Sequence, residues 1–520
     1  MGASNGTFEQ AIRVGMGPAW WADTAPERKA IVAPSGDRTY AELDRSANRL
    51  VRLFRSAGLR GGDGVALLCS NRAEFAEVWA ACQRGGFRLT TVNWHLTGDE
   101  AGYIVADCEA KAFVAESGMG DVARSALDAS DATVIRLAVD GPIDGFDNFY
   151  DALAVESGGP IDDPTLGTSM LYTSGTTGRP KGVVRPADPD ALVFGLVPYG
   201  YDGDRHAHLC TGPLYHAAPF TISLTVPLTA GVPLVLMPKW DAEECLGLIE
   251  EHRVTHTHVV PTMFHRLLAL PDDVRRHYDT SSLLAVLHGA APCPVPVKHA
   301  IIEWLGPIIY EYYAATEGAG TLVDSATWLH KPGTVGKPAS ADQVLIGDDD
   351  ARPLTTGEIG LVWLKVSPRT PFEYFNDPEK TAGSHRGSYF TLGDMGYLDD
   401  DGFLFLTDRT ANLIISGGVN IYPAEVDAVL LEHPSIADAA TIGVPDDEWG
   451  ESVLAVVELK PGYDPSVSQS DELLAFCRDR LAHFKCPRAV EFVSELPRQD
   501  NGKIYKRRLR DTYRGVMTDS

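Results

Sequence analysis

The run from Leu171 to Gly182, Leu-Tyr-Thr-Ser-Gly-Thr-Thr-Gly-Arg-Pro-Lys-Gly, constrains this chain more than any other segment. Glycines, small hydroxyl residues and a lysine stand together behind an apolar lead-in, Met170 and Leu171. Glycine admits backbone N–H groups close to an anion, Ser and Thr add hydroxyl donors, and Lys adds charge. That is the chemistry of a phosphate cradle. It is not a Walker A loop, because no Gly-Lys pair followed by Ser or Thr stands at the required spacing. A bare Gly/Ser/Thr run would read as a surface loop. The apolar lead-in and the Pro180-Lys181-Gly182 ending set this one apart.

Helical and extended patterns alternate around the cradle, which argues an α/β class. Thr39-Tyr40-Ala41-Glu42 reads as a capping box ahead of Leu43, Ala47, Leu50, Val51 and Phe54 at helical spacing, with Gly58 as the stop. Asp241 with Glu244 opens a second helix carrying Leu246 and Ile249. Val254–Val260 reads as a strand, and Leu283–Leu287 is a short apolar run leading into Gly289-Ala290-Ala291-Pro292. Near the end the pattern restarts as a compact α/β unit. Pro423 opens a helix with Val426, Val429 and Leu430 on one face, and Pro434 closes it. Extended segments follow at Ala439–Val444 and Val453–Leu459, then a helix with Leu474, Cys477, Leu481 and Phe484 on one face. The boundary falls near Asp408–Asn412. We therefore expect a large N-terminal domain over 1–408, a hinge at 409–412 and a small mobile C-terminal α/β domain over 413–520.

With 520 residues, 44% hydrophobic and 22% charged, the chain has the composition of a globular protein with an ample core. A formal net charge of -26 disfavours nonspecific binding to nucleic acid or to an anionic membrane. The eight cysteines form no Cys-x-x-Cys pair and no metal-ligand spacing with histidines. Together with a polar start that lacks a signal peptide, they lead us to expect a reduced, cytoplasmic chain. No stretch is long and apolar enough to predict a transmembrane helix; the richest, Leu224–Met237, is broken by Pro227, Gly231 and Pro233. Oligomeric state is not legible.

The cradle needs partners. Tyr312-Tyr313-Ala314-Ala315-Thr316-Glu317-Gly318 offers an acid that could hold Mg²⁺ and an aromatic ring that could pack on a base, though a core strand end would look the same. Thr391-Leu392-Gly393-Asp394 offers an acid for ribose hydroxyls, or a turn aspartate. Arg498-Gln499-Asp500-Asn501-Gly502-Lys503 is a turn that lifts Lys503 clear of its surroundings.

In this order these pieces resemble the adenylate-forming superfamily of acyl-CoA synthetases, luciferases and nonribosomal adenylation domains, from Arg38 to Lys503. The resemblance makes Thr173, Ser174, Gly175, Thr176, Thr177, Gly178 and Lys181 the loop for the β- and γ-phosphates of ATP. It makes Gly289, Ala290, Ala291 and Tyr313 the adenine site, Asp394 the ribose acid and Arg409 the arginine that opens the hinge. Glu317 becomes the Mg²⁺ ligand, with Thr316 beside it, and Lys503 the catalytic lysine. Pro213-Leu214-Tyr215-His216 resembles the aromatic/His element, and Ser416-Gly417-Gly418 the loop lining the coenzyme A tunnel. Two positions depart from the pattern: Ala314 stands for Gly, and Ala411 for the usual Asp or Lys pivot of the hinge.

The resemblance implies two half-reactions. A carboxylate attacks the α-phosphorus of ATP and pyrophosphate leaves; the small domain then rotates, His216 changes rotamer, and coenzyme A enters past Gly417 and Gly418 to form a thioester. The acyl pocket is expected among His216, Ala217, Met263 and Gly289, walled by Ala218, Pro219, Phe220 and Val259. These are apolar or small, and no acid stands ready for an α-amino group. A hydrophobic monocarboxylate is expected, with fatty, alicyclic, steroid side-chain and aryl acids all open. An acceptor that is an amine or a carrier protein remains an alternative, for which Ala411 leaves room and against which no carrier domain is attached. A catalytically silent sensor is disfavoured because Lys503, Glu317 and Lys181 are all retained. The Lys506-Arg507-Arg508 cluster reads as solvated surface.

Overall fold

The computed structural model describes residues 7–128, 133–173, 180–190, 200–409, 412–416, 419–446, 449–498 and 502–514. Two large sheets with parallel centres dominate the first four hundred residues. The first sheet runs Thr168–Thr173, Arg88–Thr91, Gly64–Leu68, Ala110–Glu116 and Ile135–Val139 in parallel, with Lys181–Val184 antiparallel at one side. In the second, Lys29–Val32, Leu234–Leu236, His208–Cys210, His256–Val259, Ala285–His288 and Ile309–Ala315 are parallel, and Gly318–Asp324 folds back antiparallel.

Helices Tyr40–Ser56 and Ala73–Gly85 fill one end of the space between the sheets. Ile31, Leu234 and Leu236 from one sheet and Val65, Leu89 and Val114 from the other share a core with Leu50, Phe54 and Trp79. The first of these helices begins as its sequence dictates: the Thr39 side chain accepts from the Glu42 N–H and the Glu42 carboxylate accepts from the Thr39 N–H at 2.8 Å. The outer faces are covered by Gly98–Asp107 and Gly120–Leu127 on the first sheet, and by Ala242–Glu251, Pro261–Ala269 and Val295–Leu305 on the second. Asp241 caps Ala242–Glu251 as expected.

A smaller antiparallel sheet follows: Val344–Gly347, Gly360–Lys365, Tyr389–Leu398 and Leu404–Arg409. The next described strand, Ile414–Ser416, belongs to a separate sheet with Val419–Ile421, Ile436–Asp446, Gly450–Leu459 and Ala489–Val493. Helices Pro423–Leu431 and Val467–Arg478 cover one face of it, and Lys506–Arg514 the other. The fold is thus mixed α/β, with a large N-terminal part and a small C-terminal α/β part. Two details differ from the sequence pattern. The helix that was to carry Phe484 ends at Arg478, so Leu481 and Phe484 lie beyond it, and Phe484 is exposed in the turn His483–Lys485. The strand expected over Val254–Val260 spans only His256–Val259, because Pro261 starts a helix.

Candidate active site

Where the inter-sheet helices stop, the gap between the sheets opens into a cleft of about 2640 Å³ that reaches the C-terminal part. One sheet face illustrates the change of surroundings. Its side chains are apolar where helices cover them (Ile31, Leu234, Leu236), and the same face carries His256, His258, Tyr310 and Tyr312 where it meets the cleft. Val259, expected on the acyl-pocket wall, lies at the cleft lining while it also packs in the hydrophobic core of the sheet, and the polar stripe on the cleft side went unnoticed in the sequence.

Thr316 and Glu317 form the two-residue tip of the hairpin between Ile309–Ala315 and Gly318–Asp324, since Ala315 pairs with Gly318. Both line the cleft, and Glu317 is buried. Its Oε1 accepts a hydrogen bond from the Tyr374 hydroxyl at 2.9 Å. On the same hairpin the buried Tyr313 hydroxyl donates to Asp394 Oδ2 at 2.7 Å. Asp394 in turn sits opposite Arg409 in the neighbouring strand. Residues about eighty positions apart in sequence are thereby locked into one polar unit.

Lys181 opens the strand that leaves the glycine-rich segment, and its Nζ lies 2.7 Å from Asp377 Oδ2. That contact raises the lysine pKa and holds the Asp377 carboxyl below its ordinary value. Asp377 also caps helix Pro378–Ser384 through the Lys380 N–H, so its position is fixed from two sides. Arg185 follows directly after the Lys181–Val184 strand and lines the cleft. Burial lowers its pKa and the Glu317 charge opposes this, while its Nε finds no hydrogen-bond partner among the described residues.

His216 lies at the head of a helical segment whose Pro219–Thr225 stretch is π-helical; its carbonyl accepts from the Phe220 N–H at 2.9 Å and its ring tilts against Tyr215 at 4.5 Å between centroids. π-helical turns inside helices occur frequently at functional sites. Ala217 and Met263 line the cleft with it. Ala290 and Ala291 also line it, Ala290 with a φ of 67°, an uncommon left-handed conformation for a residue with a side chain. Gly289 does not reach the cleft surface: the Tyr312 ring covers it, and a Cβ there would stand 2.7 Å from Tyr312 Cζ. Tyr312 thus takes the wall position expected of Gly289.

Lys503 comes to the cleft from the C-terminal part. Arg498 Nη1 donates to the Gly502 carbonyl at 2.6 Å, and Gly502 (φ of 79°) packs so tightly on the cleft wall that a Cβ would stand 2.4 Å from Thr262 Oγ1 and 3.1 Å from Val260 Cγ2. Lys506 is not part of a solvated cluster. Its Nζ is 2.8 Å from Asp427 Oδ2 with both side chains largely buried, whereas Arg507 and Arg508 are exposed. Thr173 ends its strand at the cleft edge. Ser174, Gly175, Thr176, Thr177, Gly178, Ala411, Gly417 and Gly418 lie outside the described residues. Tyr374, Asp377 and Arg185 were missed in the sequence because none falls in a recognisable motif.

The AMP-binding enzyme family profile matches residues 18–368, and the AMP-binding enzyme C-terminal domain matches residues 425–503. The chain belongs to the AMP-binding enzyme family. This AMP-binding enzyme is 34% identical over 505 residues to a 2-succinylbenzoate–CoA ligase of Geobacillus kaustophilus, which covers 95% of this chain and 97% of the relative. It is also 34% identical over 501 residues to a feruloyl-CoA synthase of an Amycolatopsis species, covering 96% and 98%. Among solved structures, the amide bond synthetase McbA from Marinactinospora thermotolerans superposes with a TM-score of 0.85 at 28% identity, covering 98% of this chain and all of that one (100%). The family is the adenylate-forming one, and the chain is an AMP-forming acid–thiol ligase by class.

Proposed function

We propose that this AMP-binding enzyme activates a hydrophobic carboxylic acid as its acyl-adenylate, releases pyrophosphate, and passes the acyl group to coenzyme A. The observation that carries the reading is the seating of the Lys503 turn on Val260 and Thr262, at the cleft that also holds Glu317, Asp394 and Tyr313. No protein nucleophile is required. The chemistry asks for positioning and for charge stabilisation as the carboxylate oxygen reaches phosphorus.

In this reading Lys503 meets the carboxylate and α-phosphate oxygens as charge builds. The Tyr313 hydroxyl holds one Asp394 oxygen and orients the other toward ribose hydroxyls, with Arg409 alongside. Lys181 leaves Asp377 for the β- and γ-phosphates, which it meets together with the loop from Thr173 to Gly178. Among the described residues no cluster of three or more His, Cys, Asp or Glu forms a metal cage. A single fixed carboxylate, Glu317, suits Mg²⁺ that arrives with the nucleotide and takes its other oxygens from phosphate and water. Bound there, Mg²⁺ would neutralise charge on the phosphates. A hinge at residues 409–412 would let the C-terminal part turn to withdraw Lys503 and admit the thiol past Gly417 and Gly418, with His216 swinging aside.

The likeness to a succinylbenzoate and a ferulate ligase supports an aryl-sized acid over a long fatty acid. The likeness to an amide bond synthetase supports an amine acceptor as the second reading. Mass spectrometry of products from pooled aryl and aliphatic acids with ATP and Mg²⁺, with and without coenzyme A, tests both. AMP with an acyl-CoA formed only in the presence of coenzyme A is the expected result. Acyl-adenylate in both tubes without thioester would overturn the coenzyme A assignment.

A further inference from the structure

Arg185 lines the cleft as a cation that the protein itself does not pair. Other largely buried arginines come with a carboxylate: Arg38 with Glu77, Arg72 with Glu74 and Glu116, Arg84 with Asp44, and Arg498 with Asp438. The Arg185 Nε is buried and has no hydrogen-bond partner among the described residues. The acids that follow it in sequence are already engaged, Asp188 with Arg369 at 2.9 Å and Asp190 with both Arg369 and Arg13. Glu317 acts on the guanidinium only through space. The backbone that presents Arg185 is braced on both sides. Those ion pairs hold it from one direction, and the pairing of Val183 with Tyr374 and of Val184 with Glu373 holds it from the other.

Taking a charge out of water without a counter-ion is unfavourable, and burial lowers the Arg185 pKa accordingly. Arginine keeps its charge at physiological pH, so an anion that enters the cleft is what relieves the imbalance. The planar fork of N–H donors suits a carboxylate or a phosphate. The surroundings favour phosphate. Lys181 opens the strand that leaves the glycine-rich segment, and Arg185 follows the end of that same strand. The strand pairs with Glu373 and Tyr374, and the Tyr374 hydroxyl holds Glu317 at 2.9 Å. Two other cations at the cleft, Arg498 and Lys506, are taken up by Asp438 and Asp427.

The direction of charge movement in adenylation points the same way. The carboxylate oxygen forms a bond to the α-phosphorus and gives up its charge. The bond from that phosphorus to the α,β-bridging oxygen breaks, and the bridging oxygen leaves with the electron pair on pyrophosphate. A cation placed for the leaving group therefore gains interaction as the step proceeds, whereas one placed on the acid loses it. Resting on the ligase reading above, we propose that Arg185 is a further catalytic residue of adenylation, which binds the pyrophosphate end of ATP from the side of Glu317 and takes up charge as pyrophosphate leaves.

The test is calorimetric titration of the full-length enzyme with inorganic pyrophosphate and with ATP, both with Mg²⁺, alongside urea unfolding and ATP–pyrophosphate exchange. Arg185→Met should weaken pyrophosphate binding about 10- to 150-fold, the loss of one hydrogen bond to a charged group. Arg185→Lys keeps the charge without the fork and should recover part of that loss. In exchange, KM for pyrophosphate should rise while KM for the acid hardly moves. Arg185→Met should unfold at the urea concentration of the parent or above it, because no described carboxylate loses a partner. Pyrophosphate affinity unchanged in Arg185→Met, a rise confined to KM for the acid, or a loss of affinity accompanied by a lowered urea midpoint would each overturn the inference and leave the ligase reading standing. A parent enzyme that binds neither pyrophosphate nor ATP would overturn the ligase reading and the inference with it.

Discussion

Lys298→Met is the sharpest test of how the second sheet is held. Lys298 and Glu311 are both buried, and the Lys298 Nζ pairs with Glu311 Oε2 while lying 4.7 Å above the Trp328 ring. Burial raises the Glu311 pKa and lowers that of Lys298, each opposed by the partner's charge. Removing one partner of such a pair strands the other charge and costs about 3–5 kcal/mol. His288 Nε2 lies 3.8 Å from the same carboxylate oxygen and can accept a proton once the lysine is gone. We therefore expect the lower end, ~3 kcal/mol, which is roughly 150-fold in the folding equilibrium. Urea unfolding at neutral pH should show a midpoint lowered accordingly. The double variant Lys298→Met/Glu311→Leu should recover most of the loss, because two apolar groups of similar volume need no compensation. The pH dependence has a definite sign. With Lys298 gone the folded-state pKa of Glu311 rises further above its unfolded value, so the folded form binds more protons between the two values. Stability of the single variant then falls as pH rises through that window and returns on acidification. A single variant within about 1 kcal/mol of the parent, or a double variant no better than the single, would refute the argument.

Thr39→Ala removes the hydroxyl half of the capping box and should cost about 0.5–2 kcal/mol in denaturant unfolding. The Glu42 carboxyl is held below its ordinary value by the Thr39 backbone N–H, so its contribution is complete above the ordinary carboxylate range and fades as pH falls through the lowered value. Tyr313→Phe leaves buried Asp394 without a 2.7 Å donor. It should raise KM for ATP about 10-fold, the loss of one charged hydrogen bond, with KM for the acid little changed; equal rises in both would point to general disorder of the cleft. Gly502→Val should collide with Thr262 and Val260 and strain a left-handed position, lowering acyl-adenylate formation by about 10²–10³-fold while the conversion of supplied acyl-adenylate to thioester persists.

The parts of this fold that could be read from the sequence are those fixed by local rules. The Thr39/Glu42 cap, the Asp241 cap and the restart of the pattern after residue 412 depend on residues within a turn or two of one another. The motif residues Glu317, Asp394 and Lys503, each singled out by a distinctive neighbourhood, all come to one cleft. Their couplings were not legible in the sequence. The bond from Tyr374 to Glu317 joins a strand of one sheet to a hairpin tip of another, and Asp377 meets Lys181 from a helix cap nearly two hundred positions away. The cleft wall was legible only in part. The apolar run Val259-Val260 does line the cleft, but a strand shows alternate residues to its two faces, and His258, on the face turned to the cleft, was passed over. Phe484 was placed on a helical face by spacing alone, whereas the helix stops at Arg478.

The turn that carries Lys503 rests on Val260 and Thr262, and those two residues also wall the cleft. One surface therefore answers to two tenants. On the proposed role of Lys503, an acid that crowds this wall would not need to bind weakly to be refused; by nudging Val260 or Thr262 it would tilt the platform that carries the lysine. A misplacement of about 1 Å at a reacting group can cost ~10²-fold in rate. Discrimination between acids would then be written into turnover more than into occupancy, and a screen that ranks ligands by affinity alone would pick tight binders that the enzyme scarcely converts.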